Sequence, residues 1–190
     1  EYKDIFVTQQ SIKTLIFKSM CLIAEDALRD LKLDKIVFGS QNYDALPPQF
    51  LKTIFDSQPN LRHLKLPRNS YNKQQVVDDE IFEKLSQVSG LEILSVSVDG
   101  LSQIGALQNL PNLKNLEIRS EKHEKLDVFR QFAELRLDSF VDLTISVWYE
   151  IPSEAYMEFA VNFTNLKNLR IILHTNHKIN FFAKIFPNLE

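Results

Sequence analysis

A chain of 190 residues with 44% hydrophobic and 25% charged side chains is long enough for one sizeable core and too balanced for disorder. Its formal charge of -3 offers no general attraction to nucleic acid or anionic lipid, and no window approaches the roughly 18 apolar residues of a spanning helix. The four glycines, Gly39, Gly90, Gly100 and Gly105, belong to no phosphate-cradling run, which removes dinucleotide and P-loop fingerprints. Cys21 is the only cysteine, so no internal disulfide forms and a thiolate metal site lacks its ligand pair. A reducing compartment, cytoplasmic or nuclear, is the expected home. The chain opens at Glu1 without a methionine or a charged-then-apolar leader, a start that leaves the question of a targeting segment open.

In chain order, one phrase keeps returning: apolar-x-x-apolar-x-apolar, the pattern of a short strand with one buried face. It first runs from Ile12 through Leu15 to Phe17, and a first helical segment is expected around Ala24 to Leu31. The second strand runs from Leu33 through Ile36 to Phe38, and Phe50, Leu51, Ile54 and Phe55 mark a helix after Pro47 and Pro48, where proline suits a first turn. Leu61, Leu64 and Leu66 form the third phrase; Ile81, Phe82, Leu85 and Val88 mark the next helix, with Asp78, Asp79 and Glu80 complementing its dipole.

Leu91, Leu94 and Val96 carry the fourth phrase, followed by a shorter helix through Ile104, Leu107 and Leu110. Leu113, Leu116 and Ile118 carry the fifth, and Leu126, Phe129, Phe132 and Leu135 its helix. Phe140, Leu143 and Ile145 give the sixth, before a helix through Ala155, Tyr156, Phe159, Ala160 and Phe163. Leu166, Leu169 and Ile171 give the seventh, and Ile179, Phe182, Ala183 and Phe186 the last helix. An eighth phrase opens at Leu189.

The first positions of successive phrases are 21, 28, 30, 22, 27, 26 and 23 residues apart. A lead-in recurs as well: Pro59-Asn60-Leu61, Pro111-Asn112-Leu113, Thr164-Asn165-Leu166 and Pro187-Asn188-Leu189. A strand followed by a helix with one apolar stripe cannot bury its surface alone, so each unit must stack on its neighbours. The 14 phenylalanines suit the wide gap between strand and helix.

These phrases and spacings resemble the leucine-rich-repeat family, whose repeats run to roughly 20–29 residues, over nearly the whole chain. The helix-containing, ribonuclease-inhibitor-like class, also found in F-box substrate receptors, is the nearest in pattern, on segments such as Ser57 to Leu66 and Phe163 to Ile171. The resemblance implies an α/β fold: one leucine-rich-repeat domain over 1–190 of about seven repeats, a solenoid with a curved parallel sheet on its concave side and helices outside, part of a longer array. The family's turn asparagine is matched only by Asn69; Gln41, Asp99, Glu121, Trp148 and His174 stand elsewhere, which predicts irregular turns.

The resemblance also implies the role of a protein-protein interaction module. In F-box receptors such repeats select substrates for ubiquitin ligation, with a Skp1-type adaptor held by a region that here would precede Glu1. A non-catalytic scaffold or assembly subunit is the alternative, and a GTPase-activating repeat protein a third, for which no particular arginine stands out. No nucleic acid, membrane, metal or cofactor is expected, and no nucleophile elbow, HExxH or paired-carboxylate motif marks an enzyme.

Strand alternation places the third and fifth positions of each phrase on the open face. These are Thr14 and Ile16, Lys35 and Val37, His63 and Lys65, Ile93 and Ser95, Asn115 and Glu117, Asp142 and Thr144, and Asn168 and Arg170. Among them Lys35, His63 and Lys65 predict a cationic area, Ile93 and Ser95 a neutral stripe, and Glu117 and Asp142 an acidic one, with Asn115, Thr144 and Arg170 completing the candidate surface. Trp148 and Tyr149 follow the sixth strand, where Trp148 either anchors a partner at the rim or folds inward in place of the turn asparagine. The polar loop from Pro67 to Val77 is a second candidate contact. His174 and His177 have no acid or cysteine near enough in sequence to complete a metal set, and Asn162-Phe163-Thr164 matches a glycosylation acceptor only by its three-residue pattern.

Overall fold

A computed structural model describes residues 11–17, 28–39, 47–66, 77–99, 101–102, 104–120, 131–132, 134–135, 139–148 and 162–174. Seven strands occur there: β1 Thr14–Phe17, β2 Lys35–Phe38, β3 His63–Lys65, β4 Ile93–Ser97, β5 Asn115–Ser120, β6 Asp142–Val147 and β7 Asn168–Leu173. They form one sheet in which every strand pairs in parallel with the next in the chain, so the spatial order is the sequence order. The helices α1 Pro48–Ser57 and α2 Asp79–Leu85 and a 3-10 helix at Gly105–Asn109 lie between strands. The class is α/β.

The register follows the repeated phrase without a slip. Leu15, Ile36, Leu64, Leu94, Leu116, Leu143 and Leu169 stand side by side across the sheet. Each strand begins two residues after the apolar residue that opens its phrase, and β4 to β7 extend past the phrase's end, which corrects the expected boundaries. The opening leucine sits in a tight turn: the N–H groups of Leu61, Leu91, Leu113 and Leu166 each donate to the carbonyl three residues back, at 3.1 to 3.2 Å. The next residue starts the ladder, as Arg62 N–H donates to Asp34 O and Glu92 N–H to Arg62 O. A turn there lets the leucine side chain drop into the core before the backbone commits to the sheet.

One apolar core lies between the sheet and the helices. α1 buries Phe50, Leu51, Ile54 and Phe55, the four residues its spacing singled out, and Pro48 occupies its first turn. α2 buries Ile81, Phe82 and Leu85, and its N-cap Asp78 accepts from Ile81 N–H at 2.9 Å. Full burial of one such leucine or phenylalanine contributes about 1.5–3 kcal/mol, which far outweighs the propensity of a helix this short. Every described phenylalanine is buried: Phe17 stacks on Phe38 at 4.9 Å, and Phe132, Phe140 and Phe163 form a triad with centroids 5.1 to 6.3 Å apart.

The expected helix through Ile104, Leu107 and Leu110 is a 3-10 turn with all three apolar residues buried, since a 22-residue spacing leaves too little chain for a longer element. Leu28, Arg29 and Asp30 form a turn rather than the end of a helix. Most of the expected helices through Leu126, Ala155 and Ile179, the loop from Pro67, the eighth phrase at Leu189, Cys21 and Asn69 lie outside the described residues, as do Gln41, Glu121 and His177.

Polar contacts tie neighbouring units together. Buried Gln58 accepts from Leu33 N–H at 2.9 Å and donates to the carbonyls of Leu28 and Leu31, each at 2.8 Å. Asn112, from a Pro-Asn-Leu lead-in, donates to Ser89 O at 2.9 Å, and Ser139 Oγ donates to Leu113 O at 2.7 Å. Outside, Lys52 pairs with Glu80 and Lys84 with Asp56, joining α1 to α2. Arg62 and Lys114 flank Glu92, and the hydrogen bond from Arg62 holds that carboxyl below its ordinary range.

Candidate functional site

The sheet face turned away from the helices carries two in-register rows of side chains. One row runs Thr14, Lys35, His63, Ile93, Asn115, Asp142 and Asn168. The other runs Ile16, Val37, Lys65, Ser95, Glu117, Thr144 and Arg170. Nothing but the parallel register creates this order, because alternation along each strand sends the leucines to the core and these residues to the other side.

Between β2 and β6 the two rows line an open groove of about 400 Å³, a size within the range of ligand clefts. Lys35, His63 and Lys65 form its first wall, Ile93 and Ser95 its middle, and Asn115, Glu117, Asp142 and Thr144 its far wall. Nine of the twelve candidate residues therefore meet in one place. Val37 also lines it, as do Leu94 and Leu116. Arg170 is exposed one strand further on, on the same face but outside the groove. Tyr149 lies outside the described residues.

The charges are held differently on the two sides. Lys35 stands directly beside His63 in the register, and Lys65 follows two positions along β3. Burial, then Lys35, then Lys65 push the His63 imidazole below its ordinary pKa of 6.5, so it is neutral at pH 7. None of the three makes an ion pair among the described residues. On the far side Asp142 accepts from Asn115 Nδ2 and from Asn168 Nδ2, each at 2.5 Å, which fixes the carboxylate across three strands without neutralising it. Glu117 accepts from Ser95 Oγ at 2.6 Å.

A third row, one step further along the strands, holds Ser97, Arg119, Ser146 and Ile172. Ser97 and Ser120 donate to buried Asp99, at 3.2 and 2.7 Å. Asp99 thus binds its polar neighbours at the position where the repeat resemblance expected asparagine. Buried Arg119 reaches past β4 and donates from Nη2 to Leu66 O at 2.7 Å. Sequence reasoning missed this role of Arg119, since an arginine one residue beyond the phrase carries no sign of pointing back across the sheet.

Trp148 is 45% exposed and does not fold inward. Its ring stacks on His174 with centroids 4.6 Å apart and planes 15° from parallel, and His174 Nε2 lies 3.2 Å from Ser146 Oγ. The stack sits beyond the strand ends because Trp148 and His174 occupy the same position after β6 and β7. Among the described residues no cluster of three or more histidine, cysteine or acidic side chains could hold a metal ion, and no helix is long and apolar enough to cross a membrane. No family model matches the chain, and no curated protein matches it significantly.

Proposed function

We propose that this chain is a protein-binding leucine-rich-repeat module of the helix-containing class, coiled as a curved solenoid, and that it takes another protein on its open sheet face. The observation that carries the reading is the register: seven phrases align so that their third and fifth positions meet on one face, opposite the described helices, and nine of the candidate residues line one groove there. An all-parallel sheet in strict sequence order suits units that stack only on their neighbours. The charges of the groove set orientation and association rate more than affinity.

The test is paired affinity capture with the purified domain. Replacing Ser95 by Trp fills the middle of the groove, whereas replacing exposed Glu83 by Lys changes charge on the helix layer. The first is expected to abolish capture of whichever protein the unaltered domain retains, and the second to leave it intact. Equal retention by both would remove the reading.

The narrower proposal is that the module selects substrates within an F-box type ubiquitin-ligase receptor, supported by the Pro-Asn-Leu lead-ins at Pro59 and Pro111 and their resemblance to that class. The full-length polypeptide is then expected to bind a Skp1-type adaptor directly. Failure of that capture, with the groove still active, leaves a non-catalytic scaffold or assembly subunit as the function. An intracellular location, cytoplasmic or nuclear, belongs to either version.

A further inference from the structure

The groove has two poles. Across β2 and β3 lie Lys35, His63 and Lys65. Across β5 and β6 lie Glu117 and Asp142. Between them β4 presents half-buried Ile93 beside Ser95, a small side chain whose hydroxyl donates to Glu117. From the middle of the first pair of strands to the middle of the second is three strand spacings, about 14 Å. Lys35, Lys65 and Asp142 have no ion-pair partner among the described residues.

A segment lying extended across the strands advances about 3.3 Å per residue and turns alternate side chains toward the sheet. Residues four apart then face the same way about 13 Å apart, which matches the separation of the poles, with the residue midway placed over Ile93. We propose that the groove binds an extended segment of a partner protein that carries an acidic and a basic side chain four residues apart, with an apolar residue midway between them. The acidic side chain sits between Lys35 and Lys65, and the basic one between Glu117 and Asp142, the latter already held in place by Asn115 and Asn168. Either order of the two charges along the segment serves, because the contacts are made by side chains and the order sets the direction in which the segment lies.

A second copy of this chain has a complementary charge order but fits less well. Its own sheet face would bring another recess, not a ridge, to an open space of about 400 Å³. An acidic group beside His63 would also favour the imidazolium, adding a third positive charge to that wall. This inference rests on the proposed role of the sheet face and adds the chemistry of what the face recognises.

The test is selection of random nine-residue segments from a displayed library on the immobilised domain, run in parallel with K35E/K65E and with D142N. The unaltered protein is expected to enrich opposite charges four apart around an apolar residue, by about tenfold over an unrelated bait, and to lose them in high salt. K35E/K65E should instead enrich two basic residues at that spacing. D142N, isosteric with the native side chain and checked by its circular dichroism, should weaken the preference for the basic end while keeping the acidic one. Sequences that change between variants without the four-residue spacing would overturn this inference and leave the face as the binding surface. Sequences that do not change at all, or no enrichment, would overturn both.

Discussion

Gln58 is a residue whose importance no pattern of apolar positions conveys. Its amide closes three hydrogen bonds to backbone groups near Leu28, Leu31 and Leu33, in a place where water does not reach it. Gln58→Ala would strand Leu33 N–H and Leu31 O, while Leu28 O keeps its bond from Leu31 N–H, and each buried unsatisfied group costs about 1–3 kcal/mol. We expect a loss of about 3 kcal/mol in urea unfolding with an unchanged m value. Gln58→Glu should be no better, because a carboxylate can accept from Leu33 N–H but cannot donate to the two carbonyls.

His63 makes a prediction of opposite kind. The folded chain holds its pKa below 6.5, so the unfolded state binds the proton more readily. Stability is therefore undiminished above about pH 7, begins to fall as pH drops through 6.5, and levels off only below the folded value. The groups facing the ring are Lys35 on β2, Lys65 on its own strand and Ile93 on β4, and none supplies a compensating negative charge. Melting temperatures between pH 7.5 and 5.5 should show this slope, and His63→Gln should flatten its upper part. A slope unchanged by the substitution would assign it elsewhere.

At the scale of elements, α2 shows how little a short helix owes to its own propensity. Seven residues cannot hold a helix in water; three buried side chains and the Asp78 cap do so. Asp78→Ala should cost about 1 kcal/mol in thermal or urea unfolding. Gly90, just before Leu91, tests the packing of one turn on the lead-in at Asn60. A Cβ added there would lie 3.3 Å from the backbone carbonyl carbon and Cα of Asn60, and backbone yields less readily than a side-chain tip. Gly90→Ala is expected to destabilise by about 1 kcal/mol. Gly105→Ala, which meets nothing within 4 Å, should not.

At the scale of the molecule, each inner strand pairs only with the one before and the one after it, so a residue's energetic weight depends on its place along the sheet. Leu94 has strands on both sides and no exposure. Leu15, in the same row, has β2 on one side and is only half-buried. Leu94→Ala is therefore expected to cost about 3 kcal/mol and Leu15→Ala about 1 kcal/mol, measured by chemical denaturation. Equal costs would show that the units do not stack in this neighbour-only manner.

Strand order, register and the burial of Leu64, Leu94 and Leu116 were legible in the amino-acid sequence because a phrase repeated every 21 to 30 residues leaves few other ways to hide its leucines. Which residues share the open sheet face was legible for the same reason: alternation along a strand is local geometry. What only the tertiary structure decided was whatever depends on a neighbour distant in the chain. Arg119 turns back to Leu66 across an intervening strand, Gln58 closes the loop of the preceding unit, and Trp148 lies outward because His174 offers a surface to stack on. Periodicity prescribes which way a side chain points, but the atom it meets there is supplied by another part of the chain.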